Sequence, residues 1–245
     1  MSSASPTVHA IIGGRTFSRD QVLAWEAERL PAAASKIGLP VPSGDLARQR
    51  AEFADAKLAL GAAEIKHRLR RDLRLGDIVG NTTARISRGG RATSVCELQV
   101  VGGSAARFVQ WFEDISRDDY TRSMTAAHPD HFLIQDLPDG RQEVIETTGG
   151  SPLPSRFIID YTDLSTLATP SDPAADAEAA GVAISGKGLN IGGVRHQFRD
   201  VPGGFHARLC VEFPRAILPR ILSEHPRHLA IEFCNWVEFA FGAEH

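Results

Sequence analysis

Two polar side chains stand at the start of an apolar stretch near the C-terminal end of the chain. His228 and Glu232 are four residues apart, and almost every other position from Leu229 to Phe241 is apolar or aromatic. In a helix this spacing places an imidazole and a carboxylate about one turn apart on one face, where both can reach one metal ion. A helix that is apolar all round is normally buried, and buried charges need a compensating partner. The pattern therefore predicts either a metal or catalytic site or a buried His–Glu ion pair.

His225 and Asn235 continue the same stripe. Together with His228 and Glu232 they fall at i, i+3, i+7 and i+10, which is one face of a helix. We interpret Asn235 as a substrate contact or as a partner of a metal ligand, and His225 as a bystander near the start of the helix.

A second group of candidate ligands lies in a predicted β-hairpin. His128 and His131 flank a Pro-Asp pair at a helix-to-strand junction, and Glu146 lies in the strand that follows the Asp139-Gly140 turn. Either histidine could be the first ligand; we favour His131, because a strand residue holds a ligand more rigidly than a loop residue. Two histidines and two carboxylates from one hairpin and one helix suit zinc or a similar divalent transition metal. The alternative for Glu146 is an exposed carboxylate on an edge strand.

His196 is a further candidate for chemistry. It shares one face of a predicted strand with Val194 and Phe198, where it could line a pocket and donate or accept a proton. The chain contains no Gly-x-Ser-x-Gly elbow, no phosphate loop ending in Lys-Ser/Thr, and no Gly-x-Gly-x-x-Gly after a strand. The motifs therefore favour metal chemistry over nucleophilic-serine or nucleotide chemistry.

The elements around these residues predict an α+β fold. Residues 1–75 are expected to form a helical N-terminal extension, with one helix over 19–30 that Pro31 ends and a second from Asp45 to about Arg74. Residues 76–245 are expected to form one globular metal-binding unit of mostly antiparallel hairpins, followed by a long C-terminal helix.

Two further predictions concern boundaries in the second unit. A β-hairpin is expected around Arg88-Gly89-Gly90-Arg91, with its first strand over 78–87. A short helix is expected over 214–222, separate from the C-terminal helix, in which Pro226 occupies the tolerated first turn.

Composition limits the classes of function. The chain has 245 residues, 42% of them hydrophobic, with a formal net charge of −3 and a pI near 6.3, so nucleic acid is not expected as a partner. No apolar run reaches the roughly 18 residues of a membrane span, so a membrane is not expected either, and the N-terminus lacks a signal-peptide pattern. Three isolated cysteines suit a reducing compartment. We expect a cytoplasmic protein with a small-molecule partner, either as a monomer or as a homodimer.

A basic run lies in the second predicted helix. Between Lys66 and Arg74, five of nine residues are lysine or arginine. We interpret this run as the solvated face of a helix, and the alternative is a surface for an anionic partner.

The motifs quoted above resemble those of the 2,4-diacetylphloroglucinol hydrolase family. The resemblance spans roughly residues 120–240. It is carried by three segments: His128-Pro-Asp-His131, Val144-Ile-Glu146-Thr-Thr-Gly-Gly and Arg227-His228-Leu-Ala-Ile-Glu232-Phe-Cys-Asn235. The resemblance implies a helix-grip fold of the Bet v 1 or START type, in which a curved antiparallel sheet surrounds a long C-terminal helix. It also implies a zinc ion whose ligands are His131, Glu146, His228 and Glu232.

In function, the resemblance implies hydrolysis of a carbon–carbon bond in an acylated phenolic or related ketone substrate. Zinc would polarise a ketone or activate water, and His196 or Asn235 would orient or protonate the aromatic or ketonic substrate. The family's substrate-orienting tyrosines have only Tyr120 and Tyr161 as counterparts in this chain. Because fold does not fix function, the alternative is a non-catalytic binding protein of the same architecture that holds a hydrophobic small molecule.

Overall fold

The computed structural model describes residues 6–242, and within them the chain forms a nine-stranded antiparallel sheet and five α-helices. The strands are β1 (Thr7–Ile12), β2 (Arg15–Phe17), β3 (Arg91–Val101), β4 (His131–Asp136), β5 (Gln142–Glu146), β6 (Ser155–Asp160), β7 (Ala177–Ser185), β8 (Asn190–Val201) and β9 (Gly204–Pro214). The helices are α1 (Arg19–Ile37), α2 (Leu46–Ser87), α3 (Ala105–Glu113), α4 (Tyr120–Ala126) and α5 (Pro219–Phe241). The predicted α+β class, with an antiparallel sheet, a long C-terminal helix and a helical N-terminal part, is confirmed.

The sheet curves around α5. Its strand order is β2-β1-β3-β9-β8-β7-β6-β5-β4. Two well-separated strands touch the helix: Ser94 Oγ of β3 lies 3.0 Å from His225 Nδ1, and His131 Nε2 of β4 lies 3.0 Å from Glu232 Oε2. Because six strand steps separate β3 from β4, both can reach one helix only if the sheet bends around it.

Helix α5 lies in the centre of the core. Every residue from Leu229 to Val237 is buried, whichever side of the helix it occupies. Phe233 of the helix packs against Phe108 and Phe112 of α3 and against Phe198 of β8. Burying each such side chain contributes about 1.5–3 kcal/mol, which holds α5 against α3 and the sheet. Among the residues that the structure describes, no helix is both long enough and apolar enough to cross a membrane.

Helix α1 is longer than the sequence predicts. It begins after the predicted cap Ser18 but continues through Pro31 to Ile37, so the predicted break at Pro31 is wrong. Ala33, Ala34 and Ile37 are buried beyond the proline and hold this last part of the helix in the core. Their packing outweighs the one backbone hydrogen bond that the proline removes.

The predicted strand over 78–87 is also wrong, because these residues form the last turns of α2. Ile78 and Ile86 are β-branched, which favours a strand locally, but both lie on one exposed helical face. The helix ends at Ser87, and the capping residue Arg88 has a left-handed φ of 48°. The expected boundary between residues 75 and 76 falls inside this helix.

Helix α5 begins earlier than predicted. Strand β9 ends at Pro214 and α5 runs from Pro219 through Pro226, so the predicted separate helix over 214–222 is wrong. Pro219 opens the helix, where a proline costs no hydrogen bond, and Pro226 removes only one. As a result His225 lies in the second turn of α5, facing β3, instead of near the helix start.

Glu143 joins α2 to the outer face of the sheet. Its buried carboxylate accepts hydrogen bonds from Lys66 Nζ at 2.6 Å, from Arg156 Nε at 2.6 Å and from Gln135 Nε2 at 2.7 Å. Burial works to raise the pKa of Glu143, but the two cations outweigh it and hold the pKa below its ordinary value. The carboxylate is therefore favoured in the folded state.

From this pKa direction we predict how stability depends on pH. A depressed folded pKa adds stability that is present above the ordinary glutamate pKa of about 4.3 and is lost as the pH falls through the folded value. In the Glu143→Gln variant the free energy of unfolding should therefore decrease less than in the wild type as the pH is lowered. Urea titration at a series of pH values measures this dependence. Glu97→Gln, on an exposed position of β3, is the control and should leave that dependence unchanged. Equal acid sensitivity of the Glu143→Gln variant and the wild type would contradict the prediction.

Candidate metal centre in the cavity

A cavity of about 760 Å³ lies between α5 and the concave face of the sheet. Most of its wall is apolar or aromatic and includes Ile134, Val144, Phe157, Val194, Phe233 and Trp236. Polar side chains converge on it from three strands and from α5, namely His131, Glu146, His196, His225, His228 and Glu232. A large apolar cavity with a few converging polar groups is the usual form of a small-molecule site.

Four of the predicted residues bring their donor atoms together. His131 Nε2 lies 3.0 Å from Glu232 Oε2 and 3.7 Å from Glu146 Oε2. His228 Nε2 lies 3.6 Å from each of the same two carboxylate oxygens. Around a tetrahedral ion with bonds of about 2.0–2.1 Å, neighbouring ligand atoms are separated by about 3.3–3.4 Å. These four separations are close to that value. The donor atoms of His131, Glu146 and His228 all lie within 4.8 Å of one another, as a shared ion requires, and Glu232 Oε2 adjoins both histidines.

Local structure explains why these side chains meet. The sequence predicts the β4–β5 hairpin but not its register, and in the structure His131 and Glu146 are direct partners across it. Past β5, the turn at Thr148–Gly150 packs against α5 so closely that a Cβ on Gly149 would lie 2.6 Å from the carbonyl oxygen of Ile221. Gly149 also has a φ of 54°, so glycine is required there on both counts. Thr148 Oγ1 then donates a hydrogen bond to Glu146 Oε1 at 3.0 Å and orients that carboxylate.

The structure places His131, and not His128, beside the two carboxylates. His131 Nδ1 lies 3.0 Å from the carbonyl oxygen of Met124, so its N–H points there and the Nε2 lone pair faces the cavity. His128 Nδ1 instead accepts the backbone N–H of Asp130 at 3.0 Å. The His128 ring stacks on His228 with centroids 3.8 Å apart and does not line the cavity.

The cluster is electrostatically unusual. Glu146 and Glu232 are buried, and their only ion-pair contacts within residues 6–242 are with histidines. Burial works to raise the pKa of both carboxyls, but the neighbouring His228 and His131 outweigh it and lower them. Burial opposes protonation of His228, yet the two carboxylates raise its pKa to about 10. The site thus favours a positive charge between the two carboxylates.

His228 is also left without hydrogen bonds. Neither of its buried ring nitrogens has a partner in the described part of the chain, and the 3.6 Å from Nε2 to each carboxylate oxygen is too long for a hydrogen bond. Buried polar groups are normally satisfied, so each exception needs an explanation. A ligand between the histidines and the carboxylates would provide one for Nε2.

His196 and His225 face the cavity beside this cluster. The His196 ring packs edge-on against Phe233 with centroids 4.8 Å apart, and its Nδ1 has no partner among the described residues. Burial lowers the pKa of His196 to about 4 and that of His225 to about 3, so both are neutral near neutral pH. Because His225 lines the cavity and stacks against His228, its interpretation as a bystander is corrected.

Asn235 does not reach the cavity. It is fully buried on the side of α5 that meets α1, where its amide donates to Ala127 O at 2.8 Å and to Glu26 Oε2 at 3.1 Å and accepts from Arg19. Its side chain is thus occupied in joining α5 to α1. The predicted substrate contact is corrected to a structural role.

Lys57 of α2 is a residue of this region that the sequence analysis did not identify. It binds the backbone of the segment that carries His131. Its Nζ is buried and donates to Thr125 O at 3.0 Å and His131 O at 2.7 Å, with Pro129 O at 3.4 Å. Burial lowers the pKa of Lys57 to about 7. In the sequence, Lys57 could have been identified by its position one helical turn after Phe53, on the face of α2 that is buried.

Comparisons with known proteins give a distant structural likeness and no sequence match. No protein-family model and no curated protein sequence matches the chain. Among solved structures, a crystal structure of Ara h 8.0201 aligns with a TM-score of 0.42 and 14% sequence identity, covering 63% of this chain and 100% of that chain. A likeness this distant carries no argument about activity.

Proposed function

We propose that His131, Glu146, His228 and Glu232 bind one divalent transition metal ion, with zinc preferred by this donor set. The observation that carries the proposal is the distance from each histidine Nε2 to the two carboxylate oxygens, which is 3.0 to 3.7 Å in all four cases. The unbonded nitrogens of His228 and the two buried carboxylates support it independently. Four protein ligands close a tetrahedral site, so catalysis would require a fifth position on the cavity side.

We infer that the protein is a metal-dependent hydrolase acting on a carbon–carbon bond of an acylated phenol or related ketone. When bound, such a metal supplies Lewis acidity to a ketone oxygen or to water. In the overall reaction the bond between the acyl carbon and the ring breaks, and water gives its hydroxyl to the acyl carbon and a proton to the ring carbon. The products are a carboxylic acid and the deacylated phenol. The motif resemblance to the diacetylphloroglucinol hydrolase family is what supports this substrate class.

The chain's own residues bind and orient the substrate in this proposal. Phe157, Phe233 and Trp236 provide apolar walls for an aromatic ring and exclude water. Neutral His196, with an unpartnered nitrogen, donates or accepts a hydrogen bond at the substrate. Tyr161, which lines the cavity and donates to Gln142 Oε1 at 3.3 Å, would bind a phenolic oxygen of the substrate.

A non-catalytic binding protein is the second candidate. A cavity of about 760 Å³ with mostly apolar walls falls within the roughly 300–1,000 Å³ typical of ligand pockets, and this observation favours storage or transport of an apolar molecule. Both candidates share the helix-grip assignment, of the Bet v 1 or START type, which we base on the sheet that bends around α5.

Metal content and product release test the two candidates together. Elemental analysis of the purified wild type should give about one metal ion per chain. The chelated and the zinc-loaded protein are then incubated with 2,4-diacetylphloroglucinol, and acetate release is followed. Zinc-dependent release supports the hydrolase. A metal-bound protein that retains the compound unchanged supports the binding protein, and substoichiometric metal would contradict the metal centre itself.

A further inference from the structure

Exposed aliphatic side chains lie beside the cavity, along the last turns of α2 and just before α5. Each is more than half exposed: Leu75, Ile78, Val79 and Ile86 of α2, and Leu218 just before α5. They are half of the large apolar side chains that are exposed in the described part of the chain. Val79 and Leu218 also line the cavity, so the exposed surface continues into its wall. Contiguous exposed apolar surface of this kind marks a site of interaction.

Arginines accompany these aliphatic residues. Arg71, Arg74 and Arg85 share the exposed face of α2 with them by helical spacing. Arg88, Arg215 and Arg220 follow near the end of α2, where the backbone N–H of residue 215 donates to the carbonyl of residue 90 at 2.9 Å. We call the five aliphatic residues and these six arginines the mouth patch.

The mouth patch carries unbalanced positive charge. Its six arginines are exposed, and none has an ion pair or a side-chain hydrogen bond to the described residues. Asp72 of α2 is paired with Lys36 and Glu224 of α5 with Arg227, which leaves Asp77 as the one carboxylate in this part of α2 without such a pair. A strongly basic face on a chain with a net charge of −3 indicates an anionic partner.

The pairing of aliphatic and cationic groups distinguishes between kinds of partner. A two-fold dimer through this face would bring together two copies of the same positively charged patch, which is repulsive. An anionic bilayer instead accepts both components, because the arginines contact headgroup phosphates while the aliphatic side chains enter the headgroup boundary. We propose that the mouth patch docks the protein on anionic lipid bilayers, from which the cavity takes its apolar ligand.

This proposal goes beyond the proposed hydrolase, since it concerns the source of the ligand and does not require the metal. The sequence-based expectation of no membrane partner rests on the lack of a spanning segment, whereas docking needs none. It also assigns a role to the basic Lys66–Arg74 run, through Arg71 and Arg74.

Sedimentation with vesicles tests the proposal. The wild type should bind vesicles of equal parts phosphatidylcholine and phosphatidylglycerol, bind phosphatidylcholine alone much more weakly, and lose binding as salt is raised. Each arginine near an anionic surface contributes about fivefold in affinity, so Arg74→Gln with Arg85→Gln should weaken binding about 25-fold. Ile78→Glu with Leu218→Glu should abolish it. The matched control is Val101→Glu with Ile115→Glu, two equally exposed positions outside the mouth patch, and it should bind like the wild type.

Three outcomes would overturn the proposal. They are a wild type that ignores anionic vesicles, a control variant that loses as much binding as the mouth variant, and a wild-type dimer that Ile78→Glu dissociates in gel filtration. The last result would make the patch an interface between copies. Circular dichroism of each variant verifies folding. The Glu232→Gln variant should bind vesicles like the wild type, because docking does not require the metal. The vesicle result therefore tests the mouth patch even if the metal centre is disproved.

Discussion

Replacing Glu232 by glutamine is expected to weaken zinc binding by at least about 100-fold. Loss of a hydrogen-bond partner behind a ligand already costs about 10–100-fold in metal affinity, and loss of a charged ligand costs more. Glu232 Oε2 is the carboxylate oxygen nearest to His131 Nε2, at 3.0 Å, so it is central to the cluster. Glutamine keeps the shape of the side chain but removes its charge. Competition against a chromogenic chelator measures the affinity.

Glu224→Gln supplies the matched control for this experiment. Glu224 lies on the exposed side of the same helix and pairs with Arg227, so its substitution should leave zinc affinity unchanged. A cobalt-substituted sample adds a readout of coordination geometry through its visible absorption, which the Glu232→Gln variant should lose. Unchanged zinc affinity in that variant would remove Glu232 from the proposed ligand set.

Lys57→Met is expected to destabilise the protein by about 3–5 kcal/mol. The substitution keeps the length of the buried side chain but removes the ammonium that Thr125 O and His131 O accept from. These carbonyls then remain buried without that donor, and each buried group left unsatisfied costs about 1–3 kcal/mol. Urea titration of both proteins at one pH measures the difference.

Lys187→Met is the control for Lys57→Met, because Lys187 is exposed and its substitution should change stability by less than about 0.5 kcal/mol. If Lys57 also positions His131, zinc affinity of the Lys57→Met variant should fall under conditions where circular dichroism shows it folded. A stability loss equal to that of the control would contradict the structural role of the buried ammonium.

Several residues of the candidate site lie close together in the sequence, so the sequence alone can identify them. His228 and Glu232 lie one turn apart in any helix, and the apolar residues around them indicate burial. The Asp139-Gly140 turn likewise predicts a hairpin, and the structure confirms it by pairing His131 with Glu146. Residue type and short spacing are sufficient to place the members of such pairs on one helical turn or in one hairpin, whereas the register that sets His131 opposite Glu146 is seen only in the structure.

Helix α2 shows where local information fails. The β-branched residues between 78 and 87 favour a strand, yet the segment stays helical to Ser87. Intrinsic propensities differ by less than about 1 kcal/mol per residue, so contacts made elsewhere decide between the two states. Here Asn81 and Ser87 are the buried residues of the segment, and their side chains reach Ser185 and the backbone N–H of Ala216. Those partners are more than a hundred residues away in sequence.

The sequence by itself therefore determined the donor types, the His–Glu spacing on α5, the hairpin and the α+β class. Only the tertiary structure decided that His131 and not His128 faces the carboxylates, that Asn235 turns towards α1, and that Lys57 and the end of α2 belong to the site. Each of these depends on how one element is rotated or registered against another. That choice is made by burial and by hydrogen bonds between distant segments, which a single sequence does not display.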